Sequence, residues 1–132
     1  MSITGRQRGK SIETRVIVCG SRDFTDKAFC FSQLDTILSE YRDLEIVSGH
    51  ARGADLFAEE YASLRGVKLS VFSPDWKKYG RGAGTVRNRQ MLEYALEATP
   101  LVVAFWNGES RGTKNMIMQA QKARVEVRIF NF

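Results

Sequence analysis

At 132 residues, with 43% of them hydrophobic, the chain is long enough for one domain with a real core and too short for two lobes. Its net charge of +5 is moderate, so it suits anionic small ligands as well as nucleic acid and does not choose between them. No apolar run approaches the roughly 20 residues a membrane helix needs, and "MSITGRQRGKSIE" lacks the apolar stretch of a signal peptide, so a cytoplasmic protein without a membrane partner is expected.

Residues 1–13 carry Arg6, Arg8 and Lys10 against Glu13 and read as a flexible basic tail; residues 14–132 read as a single domain. From Thr14 onward, strand-like and helix-like segments alternate, the pattern of an α/β fold with a parallel sheet. The first strand is "RVIVCG" (15–20), followed by the loop "GSRDF" (20–24). In that loop Gly20 permits a close approach, Ser21 can cap or contact phosphate, and Arg22 is either an anion clamp or a plain turn arginine. Asp23 or Asp26 caps the first helix, whose apolar stripe is Cys30, Leu34, Ile37, Leu38 and Tyr41. Cys19 and Cys30 have no partner cysteine or histidine at metal spacing, so buried, reduced thiols and no metal site are expected.

The second strand, "LEIVSG" (44–49), runs into "SGHARGAD" (48–55) and a helix with Ala54, Phe57, Ala58 and Tyr61 on one face. Gly49 and Gly53 serve a tight turn, and the small residues Gly53, Ala54 and Ala58 let this helix lie close on the sheet. Arg52 sits at the turn. Asp55 suits either first-turn N–H groups or a ligand hydroxyl, and His50, the only histidine, reads first as a solvated turn residue. Gly66 ends the helix.

The third strand, "VKLSVF" (67–72), precedes the longest connection, "SPDWKKYGRGAGTVRN" (73–88). There Trp76 and Tyr79 can stack on a base, Lys77, Lys78 and Arg81 can meet phosphates, and "GRGAG" supplies flexibility before the third helix. In that helix Asn88 interrupts the stripe of Met91, Leu92 and Ala95, so its amide is expected to tie down a neighbouring loop; Arg87 faces either the crevice or solvent. Pro100 leads into the fourth strand, "LVVAFW" (101–106). The loop "NGESRGTKN" (107–115) then places Gly112 and Thr113 at the start of the fourth helix, as a phosphate cradle or a cap, and "VEVRIF" (125–130) is the last strand.

The runs "VIVC" and "LVVAF" are continuously apolar, as central strands require, whereas "VKLSVF" and "VEVRI" alternate and read as edges. With right-handed crossovers these constraints predict a five-stranded parallel sheet of order 3-2-1-4-5 in a Rossmann-like, three-layer α/β sandwich. All four polar, glycine-rich loops then fall on the carboxyl edge of the sheet, and only short plain connections such as "RG" (65–66) and "ATP" (98–100) fall on the other. Stability alone does not ask for that asymmetry, so it marks a binding site.

The chain from Arg15 to Phe130 resembles the SLOG superfamily of DNA-processing proteins and LOG phosphoribohydrolases, and within it the small YspA-like branch. The resemblance is carried by "GSR" (20–22), "SGHARGAD" (48–55), "DWKKYGRGAG" (75–84), "RNRQM" (87–91) and "RGTKNM" (111–116). It implies a Rossmann-like fold and a nucleotide-derived ligand, such as a nucleotide or an NAD-derived nucleotide sugar like ADP-ribose, with no further cofactor. Gly20, Ser21, Gly112 and Thr113 then cradle phosphate, Gly49, Arg52 and Gly53 shape the turn beside it, and Arg87 faces the ribose. The LOG enzymes cleave an N-glycosidic bond with an arginine like Arg87 and a glutamate where Asn115 stands here. An amide cannot replace that carboxylate, so the resemblance needs another one, Asp75 or Glu109. A single-stranded nucleic acid, held by the "SGHARGAD" loop as in the DNA-processing relatives, is the second reading. The resemblance also implies a homodimer.

Overall fold

The computed structural model describes residues 13–132; the basic tail expected over residues 1–13 lies outside them except for Glu13. In chain order the elements are β1 (Thr14–Gly20), α1 (Lys27–Glu40), β2 (Leu44–Ser48), α2 (Ala54–Arg65), β3 (Lys68–Val71), α3 (Trp76–Tyr79), a 3₁₀ turn (Gly80–Gly82), α4 (Ala83–Ala95), β4 (Thr99–Trp106), α5 (Arg111–Lys122) and β5 (Glu126–Asn131). The five strands form one parallel sheet in the order β3-β2-β1-β4-β5, as the strand patterns require.

The alternation of side chains along a strand builds the three layers. Val16 and Val18 of β1, with Ile46, Leu101, Val103 and Phe105, face α1 and α2 and pack on Cys30, Leu34, Ile37, Ala58 and Tyr61. Ile17 and Cys19, with Val47, Val102 and Ala104, face the other way onto Met91, Leu92 and Ala95 of α4 and Met116, Ile117 and Ala120 of α5. β1 and β4 are buried on both faces along their apolar runs; β3 and β5, at the edges, hold no fully buried residue.

Two local expectations change. The connection 73–88 is mostly helical: Asp75 caps α3, accepting from the Lys78 N–H at 3.1 Å, and α4 begins at Ala83, five residues before Asn88. Glycine weakens a helix by only about 1 kcal/mol, and the fully buried Ala83 outweighs it by fixing the first turn of α4 on the core. β4 also starts at Thr99, with Pro100 already paired beside Arg15; proline is tolerated at this entry to the strand.

Far from the loop-rich edge, Glu45 of β2 is fully buried between β1, β3 and α4. Arg15 Nε donates to it at 3.1 Å, Tyr94 Oη at 2.6 Å, and the Ser70 hydroxyl closes the set, while the Arg15 guanidinium lies 3.7 Å from the Tyr94 ring centroid. Burial opposes the charge, but the Ser70 and Tyr94 hydroxyls, with Lys68 and Arg15, outweigh it and hold the carboxyl below its ordinary value. Tyr94→Phe removes one donor to a buried carboxylate and is expected to cost about 1–3 kcal/mol in urea unfolding at pH 7.

Candidate functional site

At the carboxyl ends of the strands the chain leaves β1 toward α1 on one face and β4 toward α5 on the other, which opens a crevice between their loops. The loop after β1 is tied to the end of β4 by backbone. The Ser21 N–H donates to the Phe105 carbonyl (2.9 Å), the Ser21 carbonyl accepts from Phe24 N–H (3.0 Å), and the buried Phe24 ring stacks on Phe105 at 4.7 Å. Arg22 is thereby held exposed at the tip of a fixed turn. Ser21 Oγ accepts from the Asn107 N–H at 3.0 Å, joining this loop to the one after β4.

The loop after β2 is compressed against both neighbours. Gly53 has φ +95°, and a Cβ built there lies 2.7 Å from the Ser21 carbonyl oxygen, so both the backbone angle and the space require glycine. A Cβ on Gly49 lies 2.6 Å from Arg87 Nη1; the missing side chain makes room for the guanidinium, which donates through Nη1 to the Gly49 carbonyl and through Nε to Asn88 Oδ1 (3.0 Å). Asp55 lies 4% exposed inside the loop and accepts from the Ala51 N–H at 3.2 Å, so it braces the turn rather than the helix start. His50 adopts φ +61° and sets Nδ1 2.9 and 3.1 Å from the two Glu59 oxygens; the Ser48 hydroxyl donates to the same carboxylate at 2.8 Å. The only histidine is therefore anchored rather than merely solvated, a pairing with Glu59 that no local motif announces.

Behind the crevice, Asn88 does what an amide in an apolar stripe must. Its Nδ2 donates to the Gly112 carbonyl (3.2 Å) and to Asn115 Oδ1 (3.0 Å), and Gln119 Nε2 also donates to Asn115 Oδ1 (2.8 Å). After β4, Asn107 Oδ1 accepts from the N–H groups of Glu109 and Ser110, and Ser110, not Thr113, caps α5; the Thr113 hydroxyl lies 3.2 Å from Ser110 Oγ. Asp26 caps α1, while Asp23 accepts from the Asn107 amide at 3.2 and 3.3 Å.

The crevice is a cavity of about 520 Å³ lined by Gly20, Ser21, Arg22, Arg52, Asp55, Arg87, Gly112 and Thr113, all expected there, and also by Arg111, Asn107, Ser110 and Cys19, which motif reading left aside. Arg111 stood in plain view beside the Gly-Thr pair; Asn107 carried the Asx-turn signal of an asparagine just past a strand. Gly49 and Trp76 line an adjoining cavity of about 510 Å³. Four expected residues line neither. Asp75 caps α3, Tyr79 lies 5.2 Å from Lys78 Nζ, Gly53 packs on Ser21, and Asn115 spends its carbonyl oxygen on two amides. Glu109 lines neither as well.

Charge in the cavity is uneven: four arginines face two aspartates, and among the described residues none of the four comes within 4.0 Å of a carboxylate. Burial pushes the Arg87 guanidinium below its ordinary value; Asp55 and Cys19 work against that, and Arg22 adds to it by repulsion. Burial pushes the Asp55 carboxyl up to about 7, against the Ala51 N–H and Arg87. Burial, then Asp55, pushes the Cys19 thiol up, so it is no nucleophile at neutral pH. Among the described residues no cluster of three or more His, Cys, Asp or Glu is placed to hold a metal ion, and no helix is long and apolar enough to cross a membrane.

An open parallel α/β sheet with an arginine-lined crevice at its topological switch point defines a Rossmann-like protein. The YspA, cpYpsA-related SLOG family matches residues 14–79, and the chain belongs to that family. It is 33% identical over 119 residues to the Gene 61 protein of Mycobacterium phage D29, covering 86% of this chain and 93% of that one. The X-ray structure of DNA processing protein A from Streptococcus pneumoniae shares the fold, with a TM-score of 0.68 at 20% identity over 89% of this chain; the match spans 50% of that longer protein.

The Asp55 carboxyl gives a pH signature. Below about pH 4 it is neutral whether the chain is folded or not; between about 4 and 7 the folded state keeps a proton that the unfolded chain has lost, so stability falls as pH rises across that window. Asp55→Asn is expected to flatten the fall, which at about 1.4 kcal/mol per pH unit amounts to at most about 4 kcal/mol, read from urea midpoints between pH 4 and 8.

Proposed function

We propose that this chain binds a phosphate-bearing nucleotide or nucleotide sugar, of the NAD- or ADP-ribose-derived kind, at the carboxyl ends of its strands. One observation carries the reading: Arg22, Arg52, Arg87 and Arg111 surround a single cavity with no carboxylate in ion-pair reach among the described residues. Like charges gathered this way are unfavourable until an anion joins them, and guanidinium groups match phosphate oxygens in bidentate pairs. Gly112 at the first turn of α5 adds an open N-terminal turn, where a Cβ would meet nothing within 4 Å. Hydroxyl and amide groups of Ser21, Asn107, Ser110 and Thr113 surround the same space and suit a sugar.

A thermal-shift series with AMP, NAD, ADP-ribose and a short single-stranded DNA tests this reading, since a ligand at about 100 times its Kd adds roughly 2.7 kcal/mol. A small nucleotide is expected to raise the midpoint, and Arg22→Ala, at an exposed position, to weaken its binding about 10- to 100-fold in calorimetric titration at unchanged fold. Stabilisation by the DNA alone, uncompeted by nucleotide and steeply salt-dependent, would replace the reading with nucleic-acid binding. The homodimer belongs to the same reading and is checked by light scattering on a sizing column.

A second reading, cleavage of an N-glycosidic bond, is favoured by Asp55. With Asn115 committed to Asn88 and Gln119, and Asp75 outside the cavity, Asp55 is the buried carboxyl facing it, and a group near pH 7 can both give and take a proton. Base release from a nucleoside monophosphate or NAD, lost in Asp55→Asn while binding persists, is the expected result. A wild-type chain that releases no base from either leaves a binding protein.

A further inference from the structure

The 520 Å³ and 510 Å³ cavities are not separate sites. They share Arg22, Ala51, Arg52, Arg87 and Gly112 in their walls, so they meet along a seam at which three of the five residues are arginine. Beyond the seam the two chambers differ in chemistry. The one between β1 and β4 adds hydroxyls, amides and a carboxyl, from Ser21, Asn88, Asn107, Ser110, Thr113 and Asp55. The other adds Pro74, His50 and the indole of Trp76, which stands 54% exposed although it is among the largest apolar side chains of the molecule.

We propose that the cleft is built for a two-armed ligand joined by a diphosphate: phosphates at the Arg22, Arg52 and Arg87 seam, a polyhydroxylated arm in the β1/β4 chamber, and a planar base against Trp76. This deepens the nucleotide reading above and rests on it. A diphosphate sets its free oxygens on two phosphorus centres and so spreads over the three guanidinium groups of the seam, of which Arg22 and Arg87 repel each other. A diphosphate spans the seam and leaves one substituent on each side. Together the chambers reach the upper end of the roughly 300–1,000 Å³ that small-ligand clefts occupy, more than a mononucleotide needs. An exposed indole beside guanidinium groups is the surface on which bases stack, at about 1–3 kcal/mol per base.

Calorimetric titration with four probes tests the arrangement: inorganic pyrophosphate, ribose 5-phosphate, AMP and ADP-ribose. ADP-ribose is expected to bind at least 10-fold tighter than AMP or ribose 5-phosphate. Trp76→Ala is expected to weaken AMP and ADP-ribose about 10-fold and to leave pyrophosphate and ribose 5-phosphate unchanged. Thr113→Val, in the other chamber, should weaken ribose 5-phosphate and ADP-ribose and spare AMP. Pyrophosphate binding without any gain for ADP-ribose over AMP, or a Trp76→Ala loss shared equally by pyrophosphate, overturns the two-armed arrangement and leaves the anion site standing. If none of the four binds, both the arrangement and the nucleotide reading fall. Trp76 is exposed on a short helix, so its variant keeps the wild-type thermal midpoint, and Trp76→Phe, which restores a stacking ring, should recover most of the lost affinity.

Discussion

The contact of Arg87 with the Gly49 carbonyl is the constraint on which the rest of the site depends. It fastens α4 to the end of β2, places a guanidinium at the junction of two cavities, and is possible only because position 49 has no side chain to fill that space. Partial burial makes the charge costly, and the cost is contained by the Asn88 side chain on one side and the Asp55 carboxyl on the other. Asn88 in turn reaches the Gly112 carbonyl, so α4 positions the first turn of α5 as well. One neighbouring pair on α4 therefore sets the geometry of two loops.

Matched and unmatched charge occupy opposite ends of the sheet. The Glu45 cluster crosses β1, β2 and β3 near their amino ends, where it joins α4 through Tyr94 and Arg15, and all its charges are matched. The crevice at the carboxyl ends gathers arginines that are not matched. The contrast is physical: paired buried charge fixes a fold, whereas unpaired partly buried charge is unfavourable until a ligand of opposite sign arrives.

Between these ends the close packing of α2 transmits position. Ala54 and Ala58 are fully buried, and Gly53 sits against the Ser21 carbonyl, so the turns after β1 and β2 cannot move independently. The stacked Phe24 and Phe105 rings, with Phe130 5.4 Å beyond, hold the first turn from the other side. The backbone of the crevice walls is fixed this way, and Arg87 is held in place by Gly49 and Asn88.

The amino-acid sequence by itself determined the strand order, the three layers and the edge that carries the site, because apolar runs and alternation report directly on whether one or both faces of a strand are covered. It also marked half of the residues that line the crevice, since glycine, arginine and hydroxyl residues cluster where strands end. Only the tertiary structure decided which of them face the cavity. Asp75 and Asn115 are bound up in a helix cap and an amide network, His50 is clamped by Glu59 nine residues away, and Asp55 and Arg111 line the cavity. Such choices depend on which donors and acceptors come together from distant segments, and neither periodicity nor local motif encodes that distance. The helical 76–82 segment has the same origin: its glycines argue for a loop, and burial of Ala83 on the assembled core overrides them.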